Sequence, residues 1–257
     1  MNKITTKTVL ANKGAQPVAV LTAYDAIFAA LADKAGVDII LVGDSLGTTF
    51  MGYDSTVPVT MDDMIHHTAM AARAKPRAMI VSDLPFGTAH MKFDTLLKNC
   101  VKLLHAGADA VKIEGGKAMA KKIARLVDAG VPVMGHIGLM PQQFLKLGGY
   151  RAFGKTAEEK KSLIEDATAL DAAGVFAIVL EKTDKDAAKE ITAAVKAVTI
   201  GIGSGTDCDG QVLVCTDVLG LGEFIPPFAK QYANLREETV KAFAAYVANV
   251  KNQPNSK

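Results

Sequence analysis

The chain is short of everything that would tie it to nucleic acid, a membrane or an oxidising compartment. Its formal net charge is only +2 over 257 residues, with no dense basic stripe, so nucleic acid is not an expected partner. The apolar runs are strand-sized, and none approaches the roughly 20 residues of a membrane-spanning helix. The opening MNKITTKTVLANKG has lysines but no apolar stretch of a secretory signal. The cysteines, Cys100, Cys208 and Cys215, are odd in number and show no CxxC spacing. They read as reduced thiols of a cytoplasmic protein, not as a disulfide frame or a zinc site. Interdomain linkers and low-complexity segments are also absent.

What is present is a repeated alternation. Short apolar runs rich in Val and Ile occur at 18–23, 38–44, 78–83, 110–115, 132–137, 177–181, 199–204 and 211–214, as buried parallel strands require. Between them, 26–36, 94–107, 118–130 and 157–174 carry apolar residues every three or four positions and end on Gly, a common residue just past a helix end. Alternating β and α implies parallel strands with right-handed crossovers. Eight runs in a chain of roughly 250 residues predict one closed (β/α)8 barrel, an α/β fold, spanning 1–257. The eighth strand follows the seventh across GTDCDG with no helix between. A final amphipathic helix is expected over 236–251, and the polar tail 251–257 is expected to fray. The segments 56–60 and 138–155 are the long βα connections, where binding loops usually sit.

In a parallel barrel, the C-terminal strand ends converge on one face, where catalytic groups lie. Those ends read Asp44 after the second strand, Asp83 on the third, Lys112 and Glu114 on the fourth, His136 on the fifth and Glu181 on the sixth. The N-terminal ends carry no comparable set. Lys112 and Glu114 are two apart, so they share one side of their strand while Val111 and Ile113 take the other. Asp44, Asp83 and Glu114 would then cluster. Crowded carboxylates raise one another's pKa, and a divalent cation relieves the repulsion. Oxygen-only ligands favour Mg²⁺ or a similar hard metal over zinc.

Each residue also has a plainer reading. Asp44 could cap a turn, and Asp83 could belong to the turn before Pro85. Lys112 and Glu114 could form a structural ion pair, and His136 could be a hydrogen-bonded core histidine. GIGSG (201–205) could cradle a phosphate, or let the backbone pass close to a substrate.

The motifs VGDSLG (42–47), STVPVT (55–60), SDLPF (82–86), VKIEGG (111–116), GHIGL (135–139) with its following P-Q, GGY (148–150) and DGQVLV (209–214), with TAYD (22–25) and IPPFAK (225–230), resemble the ketopantoate (3-methyl-2-oxobutanoate) hydroxymethyltransferase family, in order and over nearly the whole chain. The resemblance implies a (β/α)8 barrel of the phosphoenolpyruvate/pyruvate type. It implies Mg²⁺, 5,10-methylenetetrahydrofolate as co-substrate, a hydroxymethyl transfer in pantothenate and coenzyme A biosynthesis, and a decamer of two pentameric rings. Carried over by position, it places metal-site acids at Asp44, Asp83 and Glu114, keto-acid contacts at Asp44, Ser45, Asp83 and Lys112, and the catalytic base at Glu181. His136 is expected to touch the substrate or a neighbouring carboxylate. The seventh-strand motif departs from the family's more usual GIGAG. Two rivals are a lyase or mutase of the same barrel group acting on 2-oxo acids, and a non-catalytic barrel that binds a keto acid.

Overall fold

The computed structural model describes residues 2–149 and 151–252. Tyr150 of the GGY motif and residues 253–257 of the polar tail lie outside the described residues. The elements run α1 (Thr6–Ala11), β1 (Val18–Thr22), α2 (Ala26–Lys34), β2 (Ile39–Val42), α3 (Leu46–Thr49), α4 (Met61–Arg73), β3 (Met79–Asp83), α5 (Phe93–His105), β4 (Ala110–Glu114), α6 (Lys117–Asp128), β5 (Val133–Gly138), α7 (Phe144–Leu147), α8 (Ala157–Ala172), β6 (Ala177–Glu181), α9 (Lys185–Ala194), β7 (Val198–Ile202), β8 (Gly210–Leu213), α10 (Cys215–Leu219) and α11 (Leu235–Lys251). The eight strands close into a parallel barrel in sequence order. Every predicted strand is present, and β7 passes to β8 without a helix. The helices α1, α4 and α9, and the short α3, α7 and α10, add to those anticipated from periodicity. Compact packing divides the chain into one unit through Val212 and a second from Leu213 onward.

Local chemistry sets the element boundaries. Asp25, Thr60, Thr156 and Asp184 accept hydrogen bonds from the first-turn amides of α2, α4, α8 and α9, satisfying donors that a helix start leaves free. The four closing glycines, Gly36, Gly107, Gly130 and Gly174, all have positive φ, at 92°, 108°, 88° and 86°. At Gly107 a side chain is excluded twice, since an added Cβ would also lie 2.4 Å from the Cβ of Ala72.

Alternation along the strands separates two apolar layers. Val18, Val20, Ile39, Leu41, Met79, Val81, Ala110, Met134, Ala177, Val179, Val198, Ile200 and Val212 form one buried cluster inside the barrel. Ile4 and Val9 join it from the N-terminal segment. That segment is fastened where β3 begins: Ile4 N donates to Arg77 O at 2.8 Å, and Lys3 Nζ donates to Ala78 O at 2.8 Å. The alternate residues, such as Ile40, Ile80, Val111 and Ile113, are buried on the side away from this cluster, with apolar faces of α5, α6 and α8 also buried.

In the second unit, Tyr232 N donates to Val218 O at 2.9 Å and Arg236 N to Gly220 O at 3.1 Å, tying α11 back to α10. No residue of α11 is buried. Among the described residues, no helix is long and apolar enough to cross a membrane.

Candidate active site

Strand register assembles the polar cluster. Asp83 pairs with Lys112 across β3 and β4, Glu114 with His136 across β4 and β5, and Gly138 with Glu181 across β5 and β6. Side chains two apart share a face. Lys112 and Glu114 therefore continue the interior row begun by Ala110, His136 continues that of Met134, and Glu181 that of Ala177 and Val179. The predicted strand-end set thus fills the C-terminal end of the barrel interior, directly above the apolar cluster. Asp44 and Ser45 follow β2 and enter through their own contacts.

Those contacts are short. Lys112 Nζ lies 2.9 Å from Asp83 Oδ1, an ion pair with both side chains buried. Its partner is thus Asp83, not Glu114. The other Asp83 oxygen accepts a hydrogen bond from Asp44 N at 3.0 Å, which pins the turn after β2 to the end of β3. Lys112 Nζ also lies 3.1 Å from His136 Nδ1. Since an ammonium can only donate, Nδ1 must accept, and the imidazole proton resides on Nε2. Nε2 faces Glu181 Oε2 at 3.3 Å, a contact rather than an aligned hydrogen bond. Glu114 Oε1 is buried without a hydrogen-bond partner, with His136 Nδ1 at 3.6 Å. Ser45 Oγ pairs with Tyr24 OH at 2.9 Å. Glu181 is the open member of the set: 16% of its side chain is accessible, against 3% for His136.

The electrostatics follow from four carboxylates crowded around one ammonium. Burial, and then the neighbouring Asp83 charge, push Asp44 from 3.8 up to about 7, with Lys112 and the Gln142 amide working the other way. Glu114 is raised well above its ordinary range, first by burial and then by Asp44, Asp83 and Glu181, with Lys112 opposing. Burial pulls the Lys112 ammonium down, but Asp83, Glu114 and Asp44 outweigh it and hold the group above its ordinary value. His136 is lowered by burial and by Lys112, which agrees with the neutral tautomer read from its contacts.

Among the described residues, no three His, Cys, Asp or Glu side chains converge as a ready-made ligand sphere. A magnesium-type site does not require one, because such a cation usually takes one or two carboxylates and completes its shell with water and substrate oxygens. The chemistry of the donors fits a hard divalent cation. They are oxygen atoms only, they carry surplus negative charge that already raises Asp44 and Glu114, and two buried carboxylate oxygens, Asp83 Oδ1 and Glu114 Oε1, have no hydrogen-bond partner, the first facing only the Lys112 ammonium.

Two residues at the site escaped the reading of strand ends. Gln142, in a short turn after β5, donates from Nε2 to Asp44 Oδ2 at 2.8 Å and to Leu84 O at 2.9 Å, while its backbone N donates to Glu114 Oε2 at 3.1 Å. Ser204, in GIGSG, donates to Leu180 O at 2.7 Å and accepts from Thr183 N at 2.9 Å. It therefore braces the chain on both sides of Glu181. This serine is spent on the fold, which favours a structural turn over a phosphate cradle. The turn it braces is strained: Lys182, immediately after Glu181, has φ of 43°, and a non-glycine residue held there costs about 1–2 kcal/mol. On the opposite side, Gly138 has φ of 89°, and an added Cβ would lie 2.3 Å from Glu181 O. That carbonyl accepts instead from Leu139 N at 2.8 Å.

The chain is similar to known proteins over nearly its whole length. A 3-methyl-2-oxobutanoate hydroxymethyltransferase from Ignicoccus hospitalis is 51% identical over 253 residues, covering 98% of this chain and 96% of the relative. One from Staphylothermus marinus is 53% identical over 252 residues, covering 98% and 93%. Among solved structures, phosphonopyruvate hydrolase in complex with oxalate and Mg²⁺ superposes with a TM-score of 0.64 at 14% identity, covering 98% of this chain and 87% of the other. A 2,3-dimethylmalate lyase, a member of the PEP mutase/isocitrate lyase superfamily, gives 0.62 at 15%, covering 98% and 89%. At such identities these structures establish the barrel type alone. Residues 3–255 match the family described as ketopantoate hydroxymethyltransferase, and the chain belongs to that family of transferase enzymes.

Proposed function

We propose that this enzyme transfers a hydroxymethyl group from 5,10-methylenetetrahydrofolate to 3-methyl-2-oxobutanoate, giving 2-dehydropantoate (ketopantoate) for pantothenate and coenzyme A biosynthesis. The observation that carries this reading is the placing of one accessible carboxylate, Glu181, beside a buried floor of Asp44, Asp83, Lys112, Glu114 and His136. A proton-abstracting base must reach substrate, whereas groups that polarise a bound keto acid work best away from water.

Asp44, Asp83 and Glu114 would hold a Mg²⁺-type cation. Such a cation supplies Lewis-acid withdrawal of charge from the oxygens of a 2-oxo acid. The remaining steps belong to the chain. Lys112, kept charged by its carboxylate neighbours, donates to the substrate oxygen that becomes negative as the enolate forms. Ser45, held by Tyr24, donates to the substrate carboxylate. Glu181 accepts the proton from C3. The C3 carbon then forms a bond to the methylene carbon carried by folate. Both methylene–nitrogen bonds break, water supplies the hydroxyl group, and the two folate nitrogens take up the proton that Glu181 accepted and one from water, leaving tetrahydrofolate. His136 lies between Lys112 and Glu181, hydrogen-bonded to the first and in contact with the second, where it would touch the substrate or its neighbouring carboxylate.

Assembly into a decamer in the cytoplasm belongs to the same reading. It is supported by the sequence resemblance and by the exposed apolar row Val240, Phe243, Val247 and Val250 on α11. The direct test is turnover of purified protein with 3-methyl-2-oxobutanoate, Mg²⁺ and methylenetetrahydrofolate, with each omitted in turn and ketopantoate followed by mass spectrometry. Product that requires all three is expected. Product formed without the folate would overturn the donor assignment.

A further inference from the structure

We propose that Gln142 is the positioning residue of this site. It latches the segment 139–149 onto the barrel mouth and orients Asp44 and Glu114 without neutralising them. The inference rests on the reading above, in which those acids hold the cation and the keto acid.

Gln142 sits in the turn Pro141–Gln143, which follows β5 and leads into α7. Around it the segment is open: Leu145 is 70% exposed, whereas Gln142 is buried. Its bonds reach three other strand ends. The side-chain amide gives one proton to Asp44, after β2, and the other to the carbonyl of Leu84, after β3. The backbone amide gives its proton to Glu114, at the end of β4. One residue of the β5 loop thus fixes the relative placement of two acids whose strands are not neighbours.

The residue type matters as much as its place. An arginine or lysine could donate equally well, but its charge would cancel the field that attracts a cation. A glutamate has the length but, ionised, no proton to give. An asparagine is one methylene short. A neutral amide of this length orients the carboxylates and leaves their charge available.

The test uses the full-length metal-free protein, with hydrogen–deuterium exchange to read the latch and Mn²⁺ titration by electron paramagnetic resonance to read the acids. Neither measurement depends on turnover. Gln142→Met keeps the length and removes both side-chain donors, to Asp44 and to the Leu84 carbonyl, while the backbone N–H to Glu114 remains. It should speed amide exchange within 139–149 by about tenfold and weaken Mn²⁺ by about tenfold, with exchange of the β strands unchanged. Gln142→Asn should behave the same way, and it takes over as the test if the methionine variant does not fold. Unchanged exchange in 139–149 would overturn the latch, and unchanged Mn²⁺ affinity would overturn the orienting role. Wild-type protein that binds no Mn²⁺ would sink the cation reading itself, and amide exchange alone would then decide the latch.

Discussion

The two ends of the barrel interior are built on the same strands and obey opposite rules. On β4, Ala110 lies in the apolar cluster while Lys112 and Glu114, on the same side of the strand, lie in the polar one. On β6 the same face runs from Ala177 and Val179 to Glu181. The change takes a single two-residue step, about 7 Å of strand. Below the step, aliphatic side chains and the Ile4 and Val9 plug exclude water, and their burial is favourable. Above it, four carboxylates share one ammonium in a space nearly as closed, an arrangement that costs stability. The apolar end is what holds those groups in place at that cost. Function should therefore reside above the step and net stability below it.

The largest expected effect breaks the upper end alone. Glu181→Gln removes the base and preserves shape, so kcat should fall by about a thousandfold, while calorimetry finds keto-acid affinity within about threefold of wild type. Normal turnover would mean that another group takes the C3 proton. Next is Lys112→Met. With its ammonium gone, Asp83 loses its counter-charge and His136 loses its donor. Breaking a buried pair on one side costs about 3 kcal/mol, to be read from urea unfolding. A smaller loss would mean that water enters and solvates Asp83.

A third prediction uses pH. Folded Asp44 holds its proton up to about 7, against 3.8 for an ordinary aspartate. A raised folded value gives stability that is complete below the unfolded pKa and is lost as pH rises through the folded one. His136 is lowered from 6.5. Its neutral form therefore adds the opposite slope as pH falls below 6.5, and the Asp44 effect is cleanest above that point. From Asp44 alone the metal-free protein should melt roughly 2–3 °C higher at about pH 6.5 than at about pH 8, and Glu114 adds in the same direction. Asp44→Asn should reduce that difference, leaving what Glu114 contributes. A difference that survives intact in Asp44→Asn would reassign the effect.

The lower end supplies the converse. Ile4→Ala should cost about 2 kcal/mol through lost burial and a partly unfilled space, with kcat and KM within about twofold of wild type. A comparable loss of activity would mean that the two ends are coupled and that the division drawn here is wrong.

The barrel was legible in sequence because its signals are local. Val- and Ile-rich runs, helical periods and closing glycines are all set by neighbours in the chain. The floor of the site was legible for the same reason, since Asp83, Lys112, Glu114, His136 and Glu181 are strand residues whose facing follows from counting by two. Gln142 was not, because it lies in a turn, and its partners are 98, 58 and 28 positions away. No periodicity encodes such contacts, and the P-Q after GHIGL marked Gln142 as part of a motif without saying what it touches. The partner of Lys112 was equally hidden. Alternation put Lys112 and Glu114 on one face, but only the register between β3 and β4 makes Asp83 the nearer acid.

The smallest effect falls on the boundary between framework and chemistry. Ser204 braces the strained turn that carries Glu181, yet it touches neither the acids nor the ammonium. Ser204→Ala leaves Thr183 N–H buried without its acceptor and frees the Leu180 carbonyl, which should cost about 1 kcal/mol of stability. The effect on kcat should stay within about threefold, for two reasons. Glu181 keeps its other backbone fastening through Leu139 N. The motif usual in the resembled family, GIGAG, carries alanine at this position. Thermal unfolding and steady-state kinetics on the same preparation separate the two quantities. If kcat fell more than about tenfold at nearly unchanged stability, the turn would be tuning the base rather than merely supporting it, and the strain at Lys182 would then belong to the mechanism.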